Sequence, residues 1–168
     1  MKNNLLFQFD VDREQKTIRI KREFAADLPL VWQAWTTPEF LEQWIAPIPW
    51  RAETKTMDFR EGGHWHYAMV GPQGEKHWSR YDYLEIVPQV KIMESRGFSD
   101  ESGAMNPDFP TTLSTTLFFQ KEERTLVELT AVYGSLDVLE YMVTHGFKEG
   151  MDASLANLDE LLEKSSKG

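Results

Sequence analysis

The sequence predicts an α+β protein, an antiparallel sheet with two short helices set in after its first strands and a long helix at its end. Three observations lead there. Val31 to Pro47 reads V-W-Q-A-W-T-T-P-E-F-L-E-Q-W-I-A-P, placing three tryptophans on two helical segments joined at Thr37-Pro38. Between Leu5 and Tyr133, apolar residues repeatedly alternate with polar ones, the period of a half-buried strand. From Asp137 onward the apolar residues Leu139, Met142, Val143, Phe147, Met151, Leu155, Leu158, Leu161 and Leu162 recur every three or four positions, the stripe of an amphipathic helix.

Leu5 to Val11 and Ile18 to Phe24 form a hairpin around the polar run Asp12 to Gln15. In the helix pair, the Thr37 hydroxyl is placed to accept from an orphan amide, Pro38 fits a first helical turn and Glu39 suits its positive end. Strands are expected at Trp50 to Phe59 and Gly63 to Val70, divided by the Glu61-Gly62-Gly63 turn, where glycine supplies positive φ. Beyond the Gly71 to Gly74 turn come Lys76 to Val87 and Val90 to Phe98, separated at Pro88, which cannot donate to a ladder. Ser99 to Pro110 is one long loop of turn-forming residues, and loops of this length are often lids or rims. Thr111 to Gln120 and Thr125 to Tyr133 form the last hairpin around K-E-E-R. If continuous from Asp137 to Lys164, the terminal helix is roughly 40 Å long at 1.5 Å per residue.

With 168 residues the chain has room for one domain with a full core, expected to run over 1–168 with its centre at about 18–162 and a first strand at about 4–12. Eighteen basic residues against 27 acidic ones give a formal charge of -9, and the basic residues are dispersed, which argues against nucleic acid as a partner. The absence of cysteine excludes disulfides, thiolate metal sites and thiol nucleophiles. No window approaches the roughly 20 apolar residues of a membrane span, and M-K-N-N-L-L-F-Q-F-D lacks a signal-peptide core, so no membrane insertion is expected and cytoplasm is the expected compartment.

The tryptophan-rich helix pair, followed about twenty residues later by F-R-E-G-G-H-W-H-Y-A-M-V-G-P-Q-G-E, resembles the activators of heat-shock-chaperone ATPase and their homologues. That family is a branch of the START-like superfamily of polyketide cyclases, lipid-transfer domains and plant hormone carriers. The resemblance runs from about Ile18 to Leu162 and implies a helix-grip fold, in which a curved sheet wraps around the C-terminal helix and the space between them takes a small, mostly apolar or aromatic ligand. Chaperone activators of that name carry an additional amino-terminal domain for docking, which this sequence does not show.

Trp65, Tyr67 and Met69 share one face of their strand and are the first candidates for lining such a cavity, with Met142, Phe147 and Met151 opposite them on the helix. A filled core is the plainer reading of an aromatic stripe. The facing strand has two possible registers. If Gly71 pairs with Lys76, Met69 faces Trp78, Tyr67 faces Arg80 and Trp65 faces Asp82, which turns an opposite-charge pair inward. A slip of one residue turns Tyr81, Tyr83 and Glu85 inward instead. The family pattern of an aromatic followed two residues later by a glutamate directs attention to Tyr83 and Glu85. The candidate ligand-binding set is therefore Trp65, Tyr67, Met69, Trp78, Arg80, Tyr83, Glu85, Met142, Phe147 and Met151.

His64 and His66 point the same way from one strand, but the first register puts His77 roughly 13 Å further along at 3.3 Å per residue, so two ligands lack a third and exposed histidines are expected there rather than a metal. No phosphate loop, Ser-His-Asp arrangement or paired-carboxylate motif is readable, and no cofactor is expected. Binding of a small apolar ligand is the leading expectation. A cyclase-like or hydrolase-like enzyme using Tyr67, Arg80, Asp82, Tyr83 or Glu85, and a chaperone-related or other protein-interaction module, stand as alternatives.

Overall fold

The computed structural model describes residues 5–167, and the start of the expected first strand at residue 4 lies outside them. Eight strands form one antiparallel sheet: β1 (Phe7–Asp12), β2 (Thr17–Phe24), β3 (Arg51–Asp58), β4 (His64–Val70), β5 (Lys76–Val87), β6 (Lys91–Phe98), β7 (Thr112–Lys121) and β8 (Arg124–Val132). Their spatial order is β1-β2-β8-β7-β6-β5-β4-β3. Helices α1 (Leu28–Thr36) and α2 (Pro38–Trp44) carry the chain from β2, beside one edge, to β3 at the other edge. Among the described residues, no helix is long and apolar enough to cross a membrane.

The crossover is held by its aromatics. Trp35 and Trp44 are buried with ring centroids 4.8 Å apart, and Trp35 also meets Phe24 and Phe118 edge-on. The Trp44 indole N–H donates to the Ala34 carbonyl at 2.9 Å, satisfying the polar atom that burial would otherwise strand. Asp27 caps α1 by accepting from the Leu30 amide. Thr37 departs from expectation. Its hydroxyl turns back to donate to the Gln33 carbonyl, because Thr37 also closes the C-terminus of α1, and α2 starts on Pro38 and Glu39 without a side-chain cap.

The terminal stripe is two helices, α3 (Leu136–Thr144) and α4 (Phe147–Lys167), not one. The break comes at Gly146, whose φ of +84° is a left-handed conformation that costs other residues and suits glycine. Beyond it, α4 buries Leu155, Leu158, Leu161 and Leu162. Its polar residues fasten it on two sides. Ser154 and Asn157 donate to the Ile45 and Ala46 carbonyls at the end of α2, and Asp159 takes both terminal nitrogens of Arg22 on β2, at 3.2 and 2.6 Å. Arg22 is itself buried and lies over the Phe24 ring.

Replacing Trp35 or Trp44 by Ala should cost roughly 3 to 5 kcal/mol, the range for truncating a core aromatic. Denaturant titration measures this, and losses below about 1 kcal/mol would show that the crossover does not depend on them. Trp50, half-buried and packed on exposed His77, should cost less.

Candidate functional site

The pairing of β4 with β5 decides what the inner face presents. Val70 pairs with Lys76, so Met69 faces His77, Tyr67 faces Ser79 and Trp65 faces Tyr81. This is the slipped register. Tyr81 and Tyr83 are buried on the inner face, while Trp78 and Arg80 stand on the outer face opposite Ala68 and His66. The turn hydrogen bond is Gly71 N–H to the Glu75 carbonyl, which shortens the loop by one residue relative to Gly71 pairing with Lys76.

Trp78 and Arg80 therefore take part in a surface cluster and not in the interior. Arg80 donates to Asp82 at 3.0 Å and reaches the Gly103 carbonyl at 3.4 Å, and Lys55 and Lys76 lie over the Trp78 ring. His66 belongs to the same cluster but is buried, not exposed as expected, because the Ser99 to Pro110 loop folds over it and its Nε2 meets the Asp100 carbonyl at 3.0 Å. His77 sits on the other face, near Trp50. Among the described residues no group of three or more His, Asp or Glu is placed to hold a metal ion.

Glu85 fails to follow Tyr83 inward even in the slipped register. The ladder between β5 and β6 shifts between Tyr83 and Glu85, Leu84 being the extra residue. A bulge reverses the alternation beyond it. Glu85 consequently faces outward, 2.8 Å from Lys91, and Ile86 faces inward opposite Ile92.

Between the inner face of the sheet and the two terminal helices lies a cavity of about 500 Å³. Tyr67, Met69, Met142, Phe147 and Met151 from the candidate set line it. Trp65 does not, since its ring is stacked under Tyr67 with centroids 3.8 Å apart and its N–H is occupied by Thr54. Tyr83 packs edge-on to Phe59 and also lies off the cavity. Exposed Phe98, Phe109 and Tyr141 ring the mouth, together with the carboxylates of Asp108 and Asp137. The helical wall is thin at Gly150, where a methyl group would meet nothing within 4 Å.

The floor holds residues outside the candidate set: Arg96 on β6, Tyr133 and Ser114, and Tyr81, which the slipped register turns inward. Arg96 lies over the Tyr81 ring at 4.2 Å and donates to Glu94 at 3.3 Å. Burial pushes the Glu94 carboxyl up, against the opposing pull of Arg96. Burial by itself would lower the Arg96 pKa, but Tyr81, Glu94 and Tyr67 more than compensate, so the guanidinium stays charged. Tyr67 is raised well above an ordinary phenol by burial and by Tyr81, and Tyr133 is pushed up to about 12 by burial against the pull of Arg96. Among the described residues, Glu94 Oε2 and Arg96 Nε, and Thr116 Oγ1 on β7, are buried with no hydrogen-bond partner.

A carboxyl whose pKa rises on folding contributes stability that is present in full below its ordinary 4.5 and is lost as pH rises through the raised value. The stability of the wild-type protein should therefore fall relative to Glu94→Gln as pH rises above the ordinary carboxyl value of 4.5. Denaturation midpoints measured as pH rises from that value check this, and a gap moving the opposite way would show that Arg96 holds Glu94 ionised.

No curated protein matches this sequence. Solved structures do. A solution structure of a protein from Arthrobacter aurescens is 30% identical, covering 94% of this chain and 91% of that one with a TM-score of 0.87. A crystal structure of a protein from Mycobacterium smegmatis is 27% identical, covering 94% and 96% with a TM-score of 0.85. A solution structure of a protein from Staphylococcus epidermidis, at 23% identity, coverage of 92% and 94% and a TM-score of 0.83, shares the fold. Residues 25–163 match the family described as Activator of Hsp90 ATPase homolog 1-like protein. With an eight-stranded antiparallel sheet gripping a long C-terminal helix and a family match over most of its length, the chain belongs to that family, within the START-like superfamily.

Proposed function

We propose that this protein binds a small, mostly apolar molecule in the cavity between its sheet and its terminal helices. The observation that carries the reading is the cavity itself. About 500 Å³ of space is walled mainly by apolar side chains, among them Met69, Val138, Met142, Phe147 and Met151, with polar groups at its floor and its mouth. Small-molecule sites have that design: an apolar body with a few placed polar atoms, in a volume of roughly 300 to 1,000 Å³. A chain that needed only stability would fill such a void, because unfilled space forfeits dispersion contacts. Ligand-binding cavities are also a property of the family.

Carriage fits the floor better than turnover. Arg96, Tyr67 and Tyr133 are each held in one protonation state at neutral pH, which suits fixing a ligand's orientation. General acid or base catalysis favours a group poised near the working pH. Glu94, the carboxyl of the floor, stands behind Arg96 and does not line the cavity.

A ligand present at about 100 times its dissociation constant adds roughly 2.7 kcal/mol to stability, which for a chain of this length is a melting shift of roughly 5 to 10 °C. A thermal-shift screen of lipid, polyketide and flavonoid compounds should find such shifts. Gly150→Leu should abolish them while the protein still folds, since the added side chain enters open space from a helical position. A silent panel, with a crystal structure in which the cavity has closed, would replace this reading with that of a protein-interaction module.

A further inference from the structure

Two arginines are drawn into the interior of this protein, and their surroundings differ. Arg22 is held at both terminal nitrogens: Asp159 accepts from each of them and the Glu23 carbonyl accepts a further bond at 2.7 Å. Arg96 makes one hydrogen bond, to Glu94 at 3.3 Å, although a guanidinium carries five donors. That bond is long for a charge-assisted one, which is usually 2.7 to 2.9 Å. Its partner is a carboxyl whose second oxygen is also unpaired. Yet 26% of the Arg96 side-chain surface is accessible, and the side chain lines the cavity. The guanidinium carbon lies 4.2 Å from the centre of the Tyr81 ring.

We propose that the molecule held in the cavity is a monocarboxylate with an apolar or aromatic body, its carboxylate seated on Arg96 at the floor and its body against Met142, Phe147 and Met151. This rests on the carrier reading above and specifies the class of molecule carried. A carboxylate supplies what the floor lacks, a planar pair of acceptors for the unused terminal N–H donors of the guanidinium. The hydroxyls of Tyr67, Tyr133 and Ser114 stand around the same floor and can donate to an anion. Glu94 weakens the local positive field less than a fully ionised partner would, because burial disfavours its charged form. At the mouth, Asp108 and Asp137 repel a second carboxylate, so the single anionic end goes inward and a dicarboxylate is disfavoured.

The test compares acids with their own neutral amides: 2-naphthoate with 2-naphthamide, cinnamate with cinnamamide, decanoate with decanamide, each titrated calorimetrically into the intact protein. For at least one pair the acid should bind roughly tenfold or more tightly, the expected gain from hydrogen bonds to a charged group. Naphthalene-2,6-dicarboxylate should bind more weakly than 2-naphthoate. The double variant Arg96→Gln/Glu94→Gln removes both buried charges together and leaves neither unpaired. It should lose the preference for acids, bringing the affinities of each acid and its amide to within about threefold of one another. Should that variant fail to fold, the wild-type comparison decides alone, and Arg96→Lys, which keeps the charge and loses the fork, should retain a reduced preference. Amides binding as well as acids would overturn the carboxylate assignment and leave the carrier reading standing. A preference that survives in the double variant would overturn the role of Arg96. If neither acids nor amides bind, the carrier reading falls and this inference with it.

Discussion

The β4–β5 turn sets a parity from which the chemistry of the interior follows. Because side chains alternate along a strand, pairing Val70 with Lys76 sends Ser79, Tyr81 and Tyr83 to one face and Trp78, Arg80 and Asp82 to the other. The next ladder inherits the choice: Tyr81 pairs with Arg96 and Tyr83 with Glu94. A charged pair is thereby brought under a tyrosine layer, and the arginine at the surface is left to a loop. One hairpin thus decides which arginine can meet a ligand.

The helices decide that there is space for one to meet. α4 is fastened to the end of α2 by Ser154 and Asn157 and to β2 by Asp159, all about its middle, two turns or more beyond Gly146. At Gly146 the chain turns, so the wall over the sheet is made from parts of two helices and not from one continuous surface. Met142, Phe147, Gly150 and Met151, on the two sides of the break, all line the cavity. Methionine is flexible and polarizable, and adapts to occupants of different shape.

Much of this was legible in the sequence, and the failures have separate physical causes. Element order, the helix pair and the strand spans follow from strong local periodicity, as do Tyr67 and Met69 on the inner face and Met142, Phe147 and Met151 on the helical wall. Trp78, Arg80 and Glu85 were misplaced because parity across a turn depends on one hydrogen bond at Gly71 and, for Glu85, on a bulge at Leu84 that no composition signals. Arg96 and Glu94 were missed for the opposite reason. In K-I-M-E-S-R-G-F two charged residues alternate with Met93 and Ser95, a pattern that reads as a strand's wet face, whereas here the charged face is the buried one. The single apolar clue was Ile92, on the same face and buried. The helix break was readable only as a glycine in a stripe, since Gly150 in the same stripe continues its helix.

That reversal at β6 has an energetic meaning. A buried ion pair gives little net stability, because desolvating both groups consumes the attraction between them, and a well-packed apolar pair of similar volume is often as stable or more so. Here the pair is also incompletely satisfied, with a 3.3 Å bond and unpaired atoms on both partners. Arg22 and Asp159 show that the same fold accommodates a tight, bidentate pair where one serves to fasten a helix. The unused donors of Arg96 are therefore not a general property of this protein's interior. They lie where the interior opens onto a cavity, and a polar ligand entering there would convert an energetic cost of folding into a source of binding energy.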